Sequence, residues 1–114
     1  MNNIVRATSC KTLVGTQKVL RLNLLPLQEN LTMDSYDFTL DVYCVPNKKI
    51  TINKNEMTRI DENNYDFIID TTGVGAGKLS CQLTAYIADD RFNEGRRKVV
   101  LLLDTDIRIY NKLV

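Results

Sequence analysis

The chain has no histidine and no tryptophan, and only two prolines and three cysteines. Its 15 basic and 14 acidic side chains leave a formal net charge of +1. Each shortage excludes something. Without histidine there is no Ser/His/Asp or Cys/His triad and no imidazole metal ligand. Carboxylate-only or lysine-based chemistry would need its own signal, and none is present, so an enzyme is not expected. A near-neutral chain is no nucleic-acid binder, because phosphate contacts need a concentrated basic surface. There is no apolar run of roughly 18 residues, so no membrane span is expected. Met1-Asn2-Asn3-Ile4-Val5-Arg6 lacks the apolar stretch of a secretion leader. The chain is expected to be made and kept in a cytosol.

The cysteines fit that setting. Cys10, Cys44 and Cys81 are an odd set without C-x-x-C spacing, so they suggest neither a disulfide framework nor a zinc knuckle. Cys44 and Cys81 fall on the apolar parity of expected strands and read as small core hydrophobes. A disulfide between them stays open, since facing strands of a β-sandwich sometimes carry one. Cys10 lies in a polar stretch and is the expected exposed thiol.

What remains is ordinary globular composition, 44% hydrophobic and 25% charged over 114 residues, enough for one domain and one core. Residues 1–16 are polar with scattered apolar positions and read as an N-terminal arm; residues 17–114 form the domain. Val19 to Leu25 reads as a strand stopped by Pro26. Leu27 to Ser35 is a polar connection anchored by Leu31 and Met33. From Tyr36 to Val45, Phe38, Leu40, Val42 and Cys44 share one face against Thr39, Asp41 and Tyr43, which is the period of a half-buried strand. Pro46 to Lys49 reads as a turn, Ile50 to Ile52 as a short strand, and Met57 to Asp61 as a short edge strand.

Tyr65, Phe67 and Ile69 alternate against Asp66, Ile68 and Asp70. Beyond the glycines, Leu79, Cys81, Leu83, Ala85 and Ile87 alternate against Ser80, Gln82, Thr84 and Tyr86. The last strand puts Val99, Leu101, Leu103, Thr105, Ile107 and Ile109 on one face. Its other face begins with Val100 and Leu102 and turns polar at Asp104, Asp106 and Arg108. A strand apolar on both faces is either central to its sheet or covered by another subunit. With about seven short strands and no segment of helical period, the expected fold is all-β, an antiparallel immunoglobulin-like β-sandwich with an N-terminal arm.

Four clusters invite a functional reading. Gly73-Val74-Gly75-Ala76-Gly77-Lys78 resembles a phosphate loop, but the required first glycine is Thr72 and the required Ser or Thr is Leu79. A dinucleotide fingerprint fails for want of a helix. The expected role is a β-hairpin turn. Asp89, Asp90 and Glu94 offer oxygens to a hard cation, yet Arg91, Arg96 and Arg97 stand among them, so a solvated, ion-paired loop is expected, with Phe92 pinning it to the sandwich edge. Asp104 and Asp106 lie about 7 Å apart along one strand with nothing converging on them, and read as charges that discourage edge aggregation. Lys48, Lys49 and Lys54 form a modest basic group near Tyr43 and read as a solvated turn. No catalytic, cofactor-binding or metal-binding residue is assigned.

Asp66-Phe67-Ile68-Ile69-Asp70-Thr71 with its glycines, the run Leu83 to Phe92, Gly95-Arg96-Arg97 and Asp104 to Ile109 carry a family likeness. Over residues 36–110 the chain resembles small β-sandwich virion proteins of tailed phages and prophages of Bacteroidales bacteria, of the crAss-like auxiliary capsid type. The resemblance implies a non-enzymatic virion protein, most simply an auxiliary (decoration) capsid protein on the head shell. A tail, baseplate or head-fibre module is the alternative within that class. It implies the major capsid protein, other virion proteins and copies of itself as partners, and the virion as location after synthesis in the host bacterial cytoplasm. No catalytic residue, cofactor or small-molecule ligand comes with it. From another class, a carbohydrate-binding module would use Tyr43, Tyr86 and Tyr110, which share outward parity on three strands.

Overall fold

A computed structural model describes residues 10–26, 31–45 and 47–113. It is all-β, and the alternation read from the sequence decides which side chains turn inward. The strands are β1 Thr12–Leu13, β2 Gln17–Asn23, β3 Asp37–Val45, β4 Lys48–Asn53, β5 Thr58–Asp61, β6 Asn64–Asp70, β7 Gly77–Ala88 and β8 Arg96–Tyr110. They form a five-stranded sheet in the order β1-β8-β7-β3-β4 and a three-stranded sheet in the order β2-β6-β5. Every pairing is antiparallel except β1 with β8, which is parallel. The seven expected strands are all present, and β1 is an eighth. Lys48 and Lys49, expected in a turn, are the first residues of β4.

The core lies between the sheets. Phe38, Leu40 and Val42 of β3 meet Leu79, Leu83 and Ala85 of β7 without any exposure, and Tyr65, Phe67 and Ile69 of β6 close over them. Met33, at the start of a short 3-10 turn, is buried as the expected anchor, and Leu31 packs beside the core. Burial of aliphatic and aromatic area on this scale is the main drive for folding. Residues 27–30 lie outside the described ones.

The glycine segment departs from expectation. β6 and β7 belong to different sheets, so Gly73 to Gly77 is not a hairpin but the crossing between the sheets. β6 ends at Asp70, whose Oδ1 accepts from the Thr72 amide at 2.9 Å and starts a 3-10 turn over Thr71–Gly73. A Cβ on Gly73 would come within 2.8 Å of the Ile50 side chain. Gly75 and Gly77 hold φ values of 77° and 133°, a region that disfavours other residues. The same glycines serve a hairpin or a crossing, so local composition does not separate the two.

The last part of the expected arm is tied to the sandwich. β1 pairs with Ile109 and Tyr110, and the Val14 amide donates to the Tyr110 carbonyl at 2.8 Å. Thr71, the one buried polar side chain among the described residues, locks the turn that follows. Its hydroxyl donates to the Thr16 carbonyl at 2.8 Å and accepts from the Gly15 amide at 2.9 Å. Residues 1–9 of the arm lie outside the described residues.

Candidate functional site

The sheets differ in width, and the excess falls on β8. Three strands cannot cover five, so the inward row of β8, including Val99, Leu101, Leu103 and Ile107, is only half buried. Its outward row leaves Val100 and Leu102 exposed at 49% and 66%. β8 is therefore not central, which removes one of the two explanations for its apolar faces. Among the described residues, β1 covers its outer edge only at Ile109 and Tyr110. From Arg96 to Asp104 the strand runs in unbroken register with β7, and its other edge pairs with no strand among the described residues. Beyond Asp104 the ladder shifts between Lys78 and Ser80, and Thr105 leans back so that its hydroxyl donates to the Leu79 carbonyl.

Between β8 and β2, the facing edge of the smaller sheet, a cleft of about 430 Å³ opens. Leu20 and Leu22 line one wall and Leu102, Leu103 and Ile107 the other, with Leu40, Phe67 and Cys81 also lining it. Arg21, at its rim, is held by Asp66 through bonds of 2.8 and 3.2 Å. This is apolar surface framed by two sheet edges. Arg21, Asn23, Asp104 and Thr105 supply its polar lining, and an exposed surface of this kind suits packing and strand pairing.

The other clusters read from the sequence fall as follows. Asp89 is gripped by Arg91, with Nε and Nη2 at 2.9 and 2.7 Å, and Arg97 Nε stands 3.9 Å away. The Arg91 side chain foremost holds the Asp89 carboxyl down to about 2. Glu94 faces Arg96 at 4.0 Å. No group of three metal-binding side chains gathers among the described residues. Phe92 does not pin this loop as expected; it is 46% exposed, and backbone bonds among Asp89, Phe92 and Gly95 close the turn instead. Asp104 and Asp106 stand exposed on the outward row of β8. The basic group does not form. Lys49 pairs with Asp41 at 3.7 Å, while Lys54 Nζ donates to the Met33 and Tyr36 carbonyls at 2.8 Å each, over the rings of Phe38 and Tyr65.

The tyrosines do not form one platform. Tyr43 is opposite Ser80 and Tyr86 opposite Asp37, which sets them six residues apart along the β3–β7 ladder, about 20 Å. The Tyr86 ring is covered by Arg96 at 4.3 Å and the Tyr110 ring by Lys11 at 4.9 Å. A sugar would have to displace these cations.

The thiols lie apart from these clusters. Cys44 and Cys81 are free and sit on neighbouring strands of one sheet, not on facing sheets. Burial raises the Cys81 thiol to about 11, which makes it inert. Cys10 is exposed.

One polar network escaped the sequence reading. Arg59 forks onto Asp34, with Nη2 to Oδ2 at 2.8 Å, and the Tyr65 hydroxyl donates to Asp34 Oδ1. These bonds, Arg59's first, hold Asp34 down to about 2. Burial, then the carboxylate, pushes Tyr65 up to about 12. Arg59 and Tyr65 lie 25 and 31 positions from Asp34, and every donor and acceptor named is taken up within the group. It fastens the 3-10 turn at Met33–Ser35 to β5 and β6.

Among the described residues no helix is long and apolar enough to cross a membrane. Comparison with protein-family models, with curated proteins and with solved structures gives no match for this chain.

Proposed function

We propose that this chain is a non-enzymatic structural protein of a phage virion, an auxiliary protein seated on the head shell. The observation that carries the reading is β8: a long strand whose outer edge meets only β1 among the described residues, with exposed Val100 and Leu102 and a mainly apolar cleft beside it. Exposed apolar edges are what soluble monomers suppress and what assembling subunits use. Repetition by symmetry turns contacts that are weak singly into firm attachment. The resemblance over residues 36–110 supplies the virion, and the major capsid protein becomes the natural partner for the arm and the loops at one end.

We also read the sandwich as immunoglobulin-like. Support comes from strand order: β2-β6-β5 corresponds to B-E-D, and β4-β3-β7-β8 to C′-C-F-G of the variable type. The inter-sheet disulfide of antibody domains has no counterpart, since Cys81 of β7 shares its cleft with Leu22 of β2.

The test is mass spectrometry of density-banded phage particles from the source culture, with immunogold labelling by antibody to this chain. The chain is expected in the particle band with gold on the heads. Gold on the tails overturns the head assignment, and absence from the band overturns the virion role.

A further inference from the structure

The charges on β8 run in an order that suits one partner above others. Along the outward row Arg96 and Lys98 come first, Val100 and Leu102 next, then Asp104 and Asp106, with Arg108 beyond them. We propose that the outer edge of β8, unpaired from Arg96 to Arg108 among the described residues, pairs antiparallel with β8 of a second copy about a two-fold axis through Leu101. The two five-stranded sheets then become one continuous sheet.

The register follows from three constraints. A two-fold perpendicular to the sheet keeps each side chain on its own face, so even positions oppose only even ones. The regular ladder with β7 ends at Asp104, which bounds the edge available. Within that stretch, centring on Leu101 sets Lys98 opposite Asp104 and Val100 opposite Leu102, and symmetry repeats both pairs. Charge meets charge of opposite sign and apolar meets apolar, the pairs that stabilise a ladder. Centring on Val100 sets Lys98 against Leu102. Parallel pairing in register sets Lys98 on Lys98 and Asp104 on Asp104, which repels.

Surface charge on an edge strand ordinarily serves to prevent pairing. Here its arrangement prevents the parallel and shifted pairings and admits one antiparallel register, which is how specificity is built against alternatives. Among the described residues β1 occupies the edge only at Ile109 and Tyr110, clear of the stretch required. An interface of one strand pair is small beside the roughly 1,600 Å² of a standard protein contact, so the dimer is reversible and concentration-dependent.

The pairing deepens the assembly reading of β8 but does not need the virion. Sedimentation of the isolated chain from micromolar to millimolar concentration decides it. The expected result is a shift with concentration from the 13.0 kDa of one chain to twice that mass. Lys98→Asp puts two carboxylates opposite each other, and Asp104→Lys two ammonium groups. Each variant alone is expected to dimerise on the order of tenfold more weakly. Mixed in equal amounts they restore opposite charges in both pairs and recover the dimer. Recovery cannot come from a fold damaged in either variant.

A mixture no tighter than its components overturns the register. A wild-type chain monomeric at every concentration overturns the second copy as occupant; association that begins only after deletion of residues 1–9 assigns the edge to the chain's own N-terminal segment. A dimer absent from phage particles leaves this pairing intact and removes the virion reading. Particle incorporation by chains that never dimerise does the reverse.

Discussion

β7 and β8 are neighbours in one sheet and each carries an apolar row on the same sheet face, yet these rows end up in different surroundings. On β7 the inward residues Leu79, Leu83 and Ala85 have no exposure. On β8 the inward residues Val99, Leu101 and Leu103 of the same sheet face are only half buried. Alternation reports which face a side chain takes. How deep it lies depends on what stands opposite, and the three-stranded sheet reaches β7 but not the whole of β8. The difference separates the strand that the smaller sheet covers from the strand it leaves partly open.

The sharpest way to break this contrast is to truncate the same residue type on both strands. Leu83→Ala removes a fully buried side chain and is expected to cost about 2 to 5 kcal/mol. Leu101→Ala, made on the half-buried row, is expected to cost less than about 1.5 kcal/mol. Urea unfolding at low protein concentration reads both. Equal losses would mean that β8 is covered as deeply as β7 and that the width argument is wrong.

A smaller effect is expected at Thr71, which holds the turn between β1 and β2 and so the only strand that touches the outer edge of β8 among the described residues. Thr71→Val keeps the shape but leaves the Gly15 amide and the Thr16 carbonyl without the side-chain partner. The expected loss is about 1 to 3 kcal/mol, with faster amide exchange at Gly15 as the local signature. Unchanged exchange there would show that the turn is held by something else.

The sequence made the faces legible but not the partners. Each of the seven expected strands is present, because period-two alternation is local. Which sheet a strand joins is not local: the Gly73–Gly77 segment read as a hairpin and proved a crossing. Two clues were available. Asp70-Thr71-Thr72 is a side-chain-capped turn signal, and the connection is longer than the two-residue loops that glycine hairpins favour. Lys54 could not be told from its neighbours Lys48 and Lys49, since carbonyls 18 and 21 residues away hold it. The Asp34–Arg59–Tyr65 network is spread over three elements and left no motif. For the β8 edge, the apolar outward pair and the order of charges were visible, while the lack of a neighbour from Arg96 to Arg108 among the described residues came only from topology.

The smallest effect on folding, and the most pointed test of what β8 is for, is expected from Leu102→Thr. The side chain is 66% exposed, and threonine suits a strand as well as leucine does. Stability of the single chain should therefore stay within about 0.5 kcal/mol. Self-association is another matter, because in the proposed pairing Leu102 meets Val100 of the second copy twice across the two-fold. A native state that dimerises gains stability with concentration by mass action, so the unfolding midpoint of the wild-type chain should climb as protein is added. In the Leu102→Thr chain that climb should flatten while the dilute midpoint holds. Were the dilute midpoint to fall instead, Leu102 would be supporting the single chain's own core, and β8 would belong with β7 on the covered side of the molecule.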